Sequence, residues 1–242
     1  MSKLKTIHTS RTIMFAELSK VMDFAMQDNS YFHSLNQNVI NKKTQSGIEK
    51  TTRYLTSLYG FDQNDPSFVA LKYFWQMSDD HEKPILSLVY AIGNDDLLAE
   101  SIPVVLETLQ GEKVTIEKIE QNIESFHPNR YSENTRRSLA QNIASSWKQA
   151  GFITGKTKNI RTQPPISYNI LAFALFLAYL NGLRGEFILT SKWPKALSLS
   201  ESKLRDLAVE ASKRDVIQYQ FAGGVTAISF SNLTNKLQIN VI

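Results

Sequence analysis

The sequence predicts a mainly α fold with two small β-hairpins, on three observations. Apolar residues recur at helical spacing through most of the chain. Capping residues and Gly, Pro or Asn breakers punctuate those runs at helix-like intervals. Two short stretches, Phe152–Arg161 and Val216–Phe230, surround Gly-containing tips as two-stranded hairpins do. The same punctuation divides the 242 residues into a helical N-terminal domain (1–110), a helix-turn-helix-and-hairpin unit (111–163) and a C-terminal helical unit with a β-hairpin (164–242).

Residues 1–10 are polar and read as loose. Arg11–Met26 is an amphipathic helix, with Ile13, Leu18, Val21, Met22, Ala25 and Met26 as its apolar stripe and Asp28-Asn29-Ser30 as its end. Tyr31–Ile40 reads as a short helix. Ser46–Tyr59 reads as a longer one, with Ile48, Tyr54, Leu55 and Leu58 on one side. Pro66 suits the first turn of the next helix. In Ser67–Met77, the rings of Phe68, Tyr73, Phe74 and Trp75 read as core rather than as a base-stacking platform. Lys83–Ile92 and Asp95–Leu109 read as two more helices, split by Gly93-Asn94.

Val114–Phe126 places Ile116, Ile119, Ile123 and Phe126 at helical spacing, with Thr115 as N-cap. His127-Pro128-Asn129-Arg130 breaks that helix. Ser132 caps a second helix, Glu133–Ala150, whose Leu139, Ile143 and Trp147 turn inward, and Gly151 ends it. Phe152–Arg161 then reads as a β-ribbon around a Gly/Lys/Asn tip. Pro164-Pro165 begins a new unit. Ile166–Leu180 is almost wholly apolar, but it is about 15 residues long, and a membrane span needs roughly 20. It also carries Tyr168, Asn169 and Tyr179, so a helix buried in the centre of a domain is expected. Gly185–Thr190 is a short apolar piece. Ser200 caps Glu201–Lys213, with Leu204, Leu207, Ala208 and Ala211 facing in. Val216–Phe221 and Val225–Phe230 pair across Ala222-Gly223-Gly224. That hairpin has no basic tip, so it is expected to pack rather than to touch phosphate.

Charge is concentrated in the middle unit. From Arg130 to Arg161 there are seven Lys or Arg and one acid, Glu133, a local charge of +6 against +4 for the whole chain. A winged helix-turn-helix that touches DNA needs that distribution: one helix enters a groove and a basic wing holds phosphates. The candidate DNA-binding residues are Arg130, Ser132, Asn134, Arg136, Arg137, Gln141, Lys148, Lys156, Lys158 and Arg161. Ser132 would cap the helix, Asn134, Arg136, Arg137 and Gln141 would approach the groove, and Lys156, Lys158 and Arg161 would hold phosphate. The competing reading is an ordinary helical hairpin with a solvated basic face. Lys42, Lys43, Lys50 and Arg53 form a possible second basic site, against which stands the same solvated-face reading.

Composition narrows the classes. The absence of cysteine excludes disulfides, thiolate nucleophiles and cysteine metal sites, and fits a reducing compartment. A pI near 9.1 permits nucleic acid without requiring it. Met1–Thr6 lacks an apolar signal core, so a cytoplasmic location is expected. Gly151–Thr157 resembles a phosphate loop, but three residues rather than four separate its glycines, and no helix follows. His8, His33, His81 and His127 lie far apart without metal-ligand spacing. Asp79-Asp80 and Asp95-Asp96 read as helix-start capping. No Gly-x-Ser-x-Gly elbow occurs. No catalytic residue, cofactor or metal is expected.

Several stretches together resemble the BrxA family of bacterial BREX phage-exclusion systems. They are Ser46–Tyr59 with its Arg53-Tyr54-Leu55 core; Ser132–Gly155 (Ser132, Thr135, Arg136, Ile143, Ser146-Trp147, Gln149-Ala150-Gly151, Gly155); and Ala172–Ser191 with Ala178-Tyr179-Leu180, Gly182, Arg184-Gly185 and Ser191. The resemblance implies a small, non-enzymatic, DNA-binding component of a phage-defence island that also encodes a methyltransferase, an ATPase and a phosphatase-like protein. The expected partners are double-stranded DNA and other proteins of the defence operon, with no membrane. The alternative is a protein-interaction adaptor without direct DNA contact, docking through Phe68–Trp75.

Overall fold

The computed structural model describes residues 4–28 and 30–239. In chain order it runs α1 (Phe15–Asp28), α2 (Tyr31–Asn36), α3 (Gln45–Tyr59), α4 (Pro66–Met77), α5 (Lys83–Asn94), α6 (Asp96–Glu100), α7 (Ile102–Leu106), α8 (Ile116–Phe126) and α9 (Glu133–Gln149). Then come β1 (Ile153–Thr154), β2 (Ile160–Arg161), α10 (Tyr168–Leu180), α11 (Glu186–Leu189), α12 (Lys192–Ala196), α13 (Glu201–Lys213), β3 (Gln218–Ala222), β4 (Val225–Ser229) and α14 (Ser231–Leu237). Among the described residues helix takes 59% and strand 6%, so the class is mainly α with two antiparallel hairpins, β1–β2 and β3–β4.

Side-chain caps set the starts of α4, α8, α9 and α13. Thr115 Oγ1 accepts from Lys118 N at 3.2 Å, Ser132 Oγ from Thr135 N at 3.3 Å and Ser200 Oγ from Lys203 N at 3.3 Å. Asp65 accepts from Ser67 N at 3.0 Å ahead of Pro66, whose missing N–H would have been unpaired in a first turn. Gly151 ends α9 at φ +81°, a region that a Cβ makes unfavourable by about 1–2 kcal/mol. Gly151→Ala is therefore expected to lower stability by about that amount, seen as a lower urea midpoint at an unchanged slope.

The chain folds as two compact units, Met1–Asp62 with Asn94–Thr162, and Gln63–Gly93 with Gln163–Ile242. The cut at 162/163 lies one residue before the 163/164 division read from the sequence. Residues 63–93 of the N-terminal helical stretch pack with the C-terminal unit instead, and 111–162 packs with the N-terminal segments.

In unit one, α9 buries Leu139, Ala140, Ile143, Ala144, Ser146 and Trp147, and α8 buries Ile119 and Ile123. Trp147 donates to Ser101 Oγ at 2.8 Å and meets Phe152 edge-on at 5.3 Å. Residues 4–10 are not loose as described. Ile7 and His8 are buried, and Lys5 N donates to Asp96 Oδ2 at 2.7 Å. Asp95–Leu109 is two helices, because Pro103 sits in the first turn of α7 and Ser101 Oγ turns back to Leu98 O at 2.7 Å. Met26 and Phe126, placed inward by spacing, are about half exposed at the ends of their helices. Asn29, part of the expected stop after α1, lies outside the described residues.

In unit two, Asn169–Ala178 of α10 is buried without a gap. The helix is apolar on every side because neighbours cover every side: Phe74 of α4 packs on Phe173 at 5.3 Å, and Phe230 on Phe176 at 5.1 Å. Asn169 Nδ2 donates to Met77 O at 3.2 Å. Among the described residues, no helix is long and apolar enough to cross a membrane. Gly185–Thr190, read as a short apolar piece, contains a helical turn, and α14 has no counterpart in the sequence reading. The β3–β4 turn is Gly223-Gly224, both at positive φ, which suits the twist of a two-residue hairpin.

Candidate nucleic-acid interface

α8 and α9 pack against each other, and β1–β2 follows α9 directly. Lys113 bridges Ile160 as a third, isolated rung beside the hairpin. The turn between the helices is anchored: His127 Nε2 lies 2.8 Å from Glu100 Oε2, and Asn129 N donates to Glu124 Oε1 at 2.9 Å. The outer face of α9 carries Asn134, Arg137, Ser138, Gln141, Ser145 and Lys148, each three or four residues from another of the set, so they form one stripe. The Asn134 and Gln141 side chains are exposed, with no hydrogen-bond partner among the described residues. Ser132, exposed at the start of this helix, is engaged as its cap.

The stripe runs into the hairpin tip. Lys148 Nζ lies 3.5 Å from the Lys156 carbonyl. Gln141, Ser145, Lys148, Lys156, Thr157 and Asn159 line a cleft of about 300 Å3 between helix and tip. Lys156 and Lys158 are exposed and make no ion pair among the described residues. Arg130 is exposed in the turn, 5.8 Å from the Tyr131 ring centroid. Ser145, Thr157 and Asn159 were missed by sequence reasoning. Ser145 had a usable signal, since it falls between Gln141 and Lys148 at helical spacing.

Two candidate residues do other work. Arg161 is not at the surface: it is 2% exposed, Nε donates to Val105 O at 3.0 Å and Nη1 to Phe152 O at 3.3 Å and to Thr162 O. Burial pushes its pKa below the ordinary arginine value. It closes the base of the hairpin and cannot reach phosphate. Arg136 lies off the outer stripe, and its Nη1 is 2.6 Å from Glu124 Oε2 on α8. The hydrogen bond from the Asn129 amide chiefly holds the Glu124 carboxyl below its usual pKa; desolvation opposes it, and the charge and hydrogen bond of Arg136 add to the lowering.

The charge count from Arg130 onward leaves out acids that face α9 in space. Glu117 and Glu120 of α8 lie 3.9 Å from Arg137, which stays exposed and loosely paired. Uncompensated positive charge therefore sits at the C-terminal end of α9 and at the hairpin tip, rather than along the whole helix. In the second basic group, Lys42 is paired with Glu17 at 2.8 Å, while Lys43, Lys50 and Arg53 are exposed.

A buried polar cluster lies beneath this surface. His8 Nδ1 is 2.8 Å from Asp95 Oδ2, and Nε2 is 2.8 Å from Ser146 Oγ. This has the connectivity of a hydrolase triad, but all three residues are at most 1% exposed. Ser146 Oγ also donates to Asn142 O and accepts from Ile13 N, both at 3.0 Å, so it is held by the fold and closed to a substrate. Among the described residues, no group of three or more His, Cys, Asp or Glu is placed to hold a metal ion.

No protein-family model matches the chain, and no curated protein or solved structure matches it either.

Proposed function

We propose that unit one binds double-stranded DNA as a winged helix-turn-helix, with α9 as the recognition helix and β1–β2 as the wing. The observation that carries this reading is the joined surface of α9 and the hairpin tip, where Lys148, Lys156 and Lys158 stand without a carboxylate near Gln141, on the helix face that also carries exposed Asn134. The wing lysines contact phosphate. Asn134 and Gln141, whose side-chain amides can pair bidentately with adenine, read base edges, while Arg136, paired with Glu124, leaves that role. The protein acts without chemistry of its own, in the cytoplasm, as a component of a BREX-type phage-defence system of the kind its resemblance to BrxA implies, beside other proteins of that operon. Of the rings through which the adaptor alternative would dock, Phe68, Phe74 and Trp75 lie in the core of unit two and Tyr73 is partly exposed.

Titration of labelled duplexes across a salt series tests this. Lys156→Ala with Lys158→Ala is expected to weaken unrelated duplexes alike and to reduce the salt slope by about one per lost contact. Asn134→Ala with Gln141→Ala is expected to cost about 1–3 kcal/mol on a preferred sequence and little elsewhere. Undetectable binding at low salt overturns DNA binding altogether. Sequence-selective loss from the lysine pair, with none from Asn134 and Gln141, overturns the assignment of wing and recognition helix.

A further inference from the structure

We infer that Arg11 and Arg53, gathered over the ring of Tyr54, form a second phosphate-holding site in unit one, continuous with the α9 surface, so that one duplex engages both. The inference rests on the DNA-binding reading and extends its footprint. Both guanidinium carbons lie 5.1 Å from the Tyr54 ring centroid. Neither arginine makes an ion pair among the described residues: Arg11 Nη1 donates to Ser10 O at 2.9 Å, and Arg53 Nη2 reaches Tyr54 Oη at 3.5 Å. Lys50 is exposed one turn before Arg53. The nearest acid on that helix, Glu49, instead accepts from Gln45 Nε2 at 3.0 Å.

Two unpaired guanidinium groups held at one aromatic ring repel each other, and phosphate bound to them offsets that cost. Planar forks bind phosphate bidentately, and stacking fixes their orientation beforehand. The Tyr54 hydroxyl senses the same field. Hydrogen bonds from Ser10 and Arg53, aided by the charges of Arg53 and Arg11, hold its pKa below the ordinary tyrosine value despite slight desolvation.

Continuity with α9 follows from the N-terminal segment. Arg11 precedes Thr12, whose Oγ1 accepts from Gln149 Nε2 at 2.8 Å, and Gln149 Oε1 accepts from Phe15 N at 2.9 Å. Gln149 directly follows Lys148, the residue that meets the hairpin tip. The arginine pair thus begins one residue from a side chain locked onto the end of α9.

The test is a salt series with the full-length protein and a duplex of about 20 base pairs, comparing wild type, R11A/R53A, K156A/K158A, the four-site variant and R11K/R53K. Each alanine pair is expected to lower the slope of log affinity against log salt by about 2, and the four-site variant by about 4. R11K/R53K is expected to recover most of the slope, with melting temperatures near wild type throughout. If R11A/R53A keeps the wild-type slope while K156A/K158A loses it, this inference falls and the wing reading stands. A loss with R11A/R53A alone overturns both the wing and the shared footprint. Absence of binding by the wild-type protein removes both readings.

Discussion

Asp95→Ala is expected to cost about 3–5 kcal/mol of stability, because it removes one partner of a buried charged cluster and leaves several donors without an acceptor. The Asp95 carboxylate accepts from Ile7 N at 2.7 Å, from Thr6 Oγ1 at 3.0 Å and from Leu98 N at 3.0 Å, and it lies 2.8 Å from His8 Nδ1. It is at once the cap of α6 and the anchor of the N-terminal segment. Through His8 and Ser146 that anchor reaches the last turn of α9. Urea denaturation measures the effect, and a loss below about 1 kcal/mol would show that the cluster contributes little beyond its solvated alternative. Asp95→Asn is the companion variant: it keeps the shape but points an amide donor at donors, so a comparable loss is expected.

The pH dependence has a definite sign. Desolvation pushes the Asp95 carboxyl up, but His8 beside it and the amides of Ile7 and Leu98 outweigh this and hold it below its ordinary value of 3.8. A carboxyl depressed in the folded state stabilises above its unfolded pKa, and that stability is lost as pH falls through the lower folded one. Acid unfolding of the wild type should therefore steepen below about pH 4. The Asp95→Asn variant should lack that component.

Arg161→Ala is expected to cost about 2–4 kcal/mol while leaving the salt dependence of the proposed DNA binding unchanged. The wild-type guanidinium serves carbonyls of Val105, Phe152 and Thr162 and lies 5.5 Å from the Phe152 ring centroid. Alanine leaves those acceptors without that donor and opens a cavity at the base of the hairpin. Arg161→Lys keeps a charge but loses the fork, so it should recover only part of the stability. Denaturation and duplex titration of the same preparations separate the two roles. A stable Arg161→Ala protein whose salt slope falls by about one would return this residue to the proposed phosphate-holding surface.

The sequence by itself determined the elements whose signals lie within about a turn of each other. Thr115, Ser132 and Ser200 cap where spacing places them, Gly151 ends α9, Gly223-Gly224 turns the second hairpin, and the unbroken apolar run of α10 is buried. The basic tip and the outer stripe of α9 were legible for the same reason, since helical and hairpin periodicity alone sets which side chains share a face. Only the tertiary structure decided which charges are free. Arg136 meets Glu124 across a turn, Arg161 meets a carbonyl 56 positions away, and His8 joins Asp95 and Ser146 from 87 and 138 positions away. Arg11 and Tyr54 come together in the same way. A charged side chain's role depends on what neutralises or desolvates it within a few ångströms, and in a packed domain those neighbours come from distant parts of the chain.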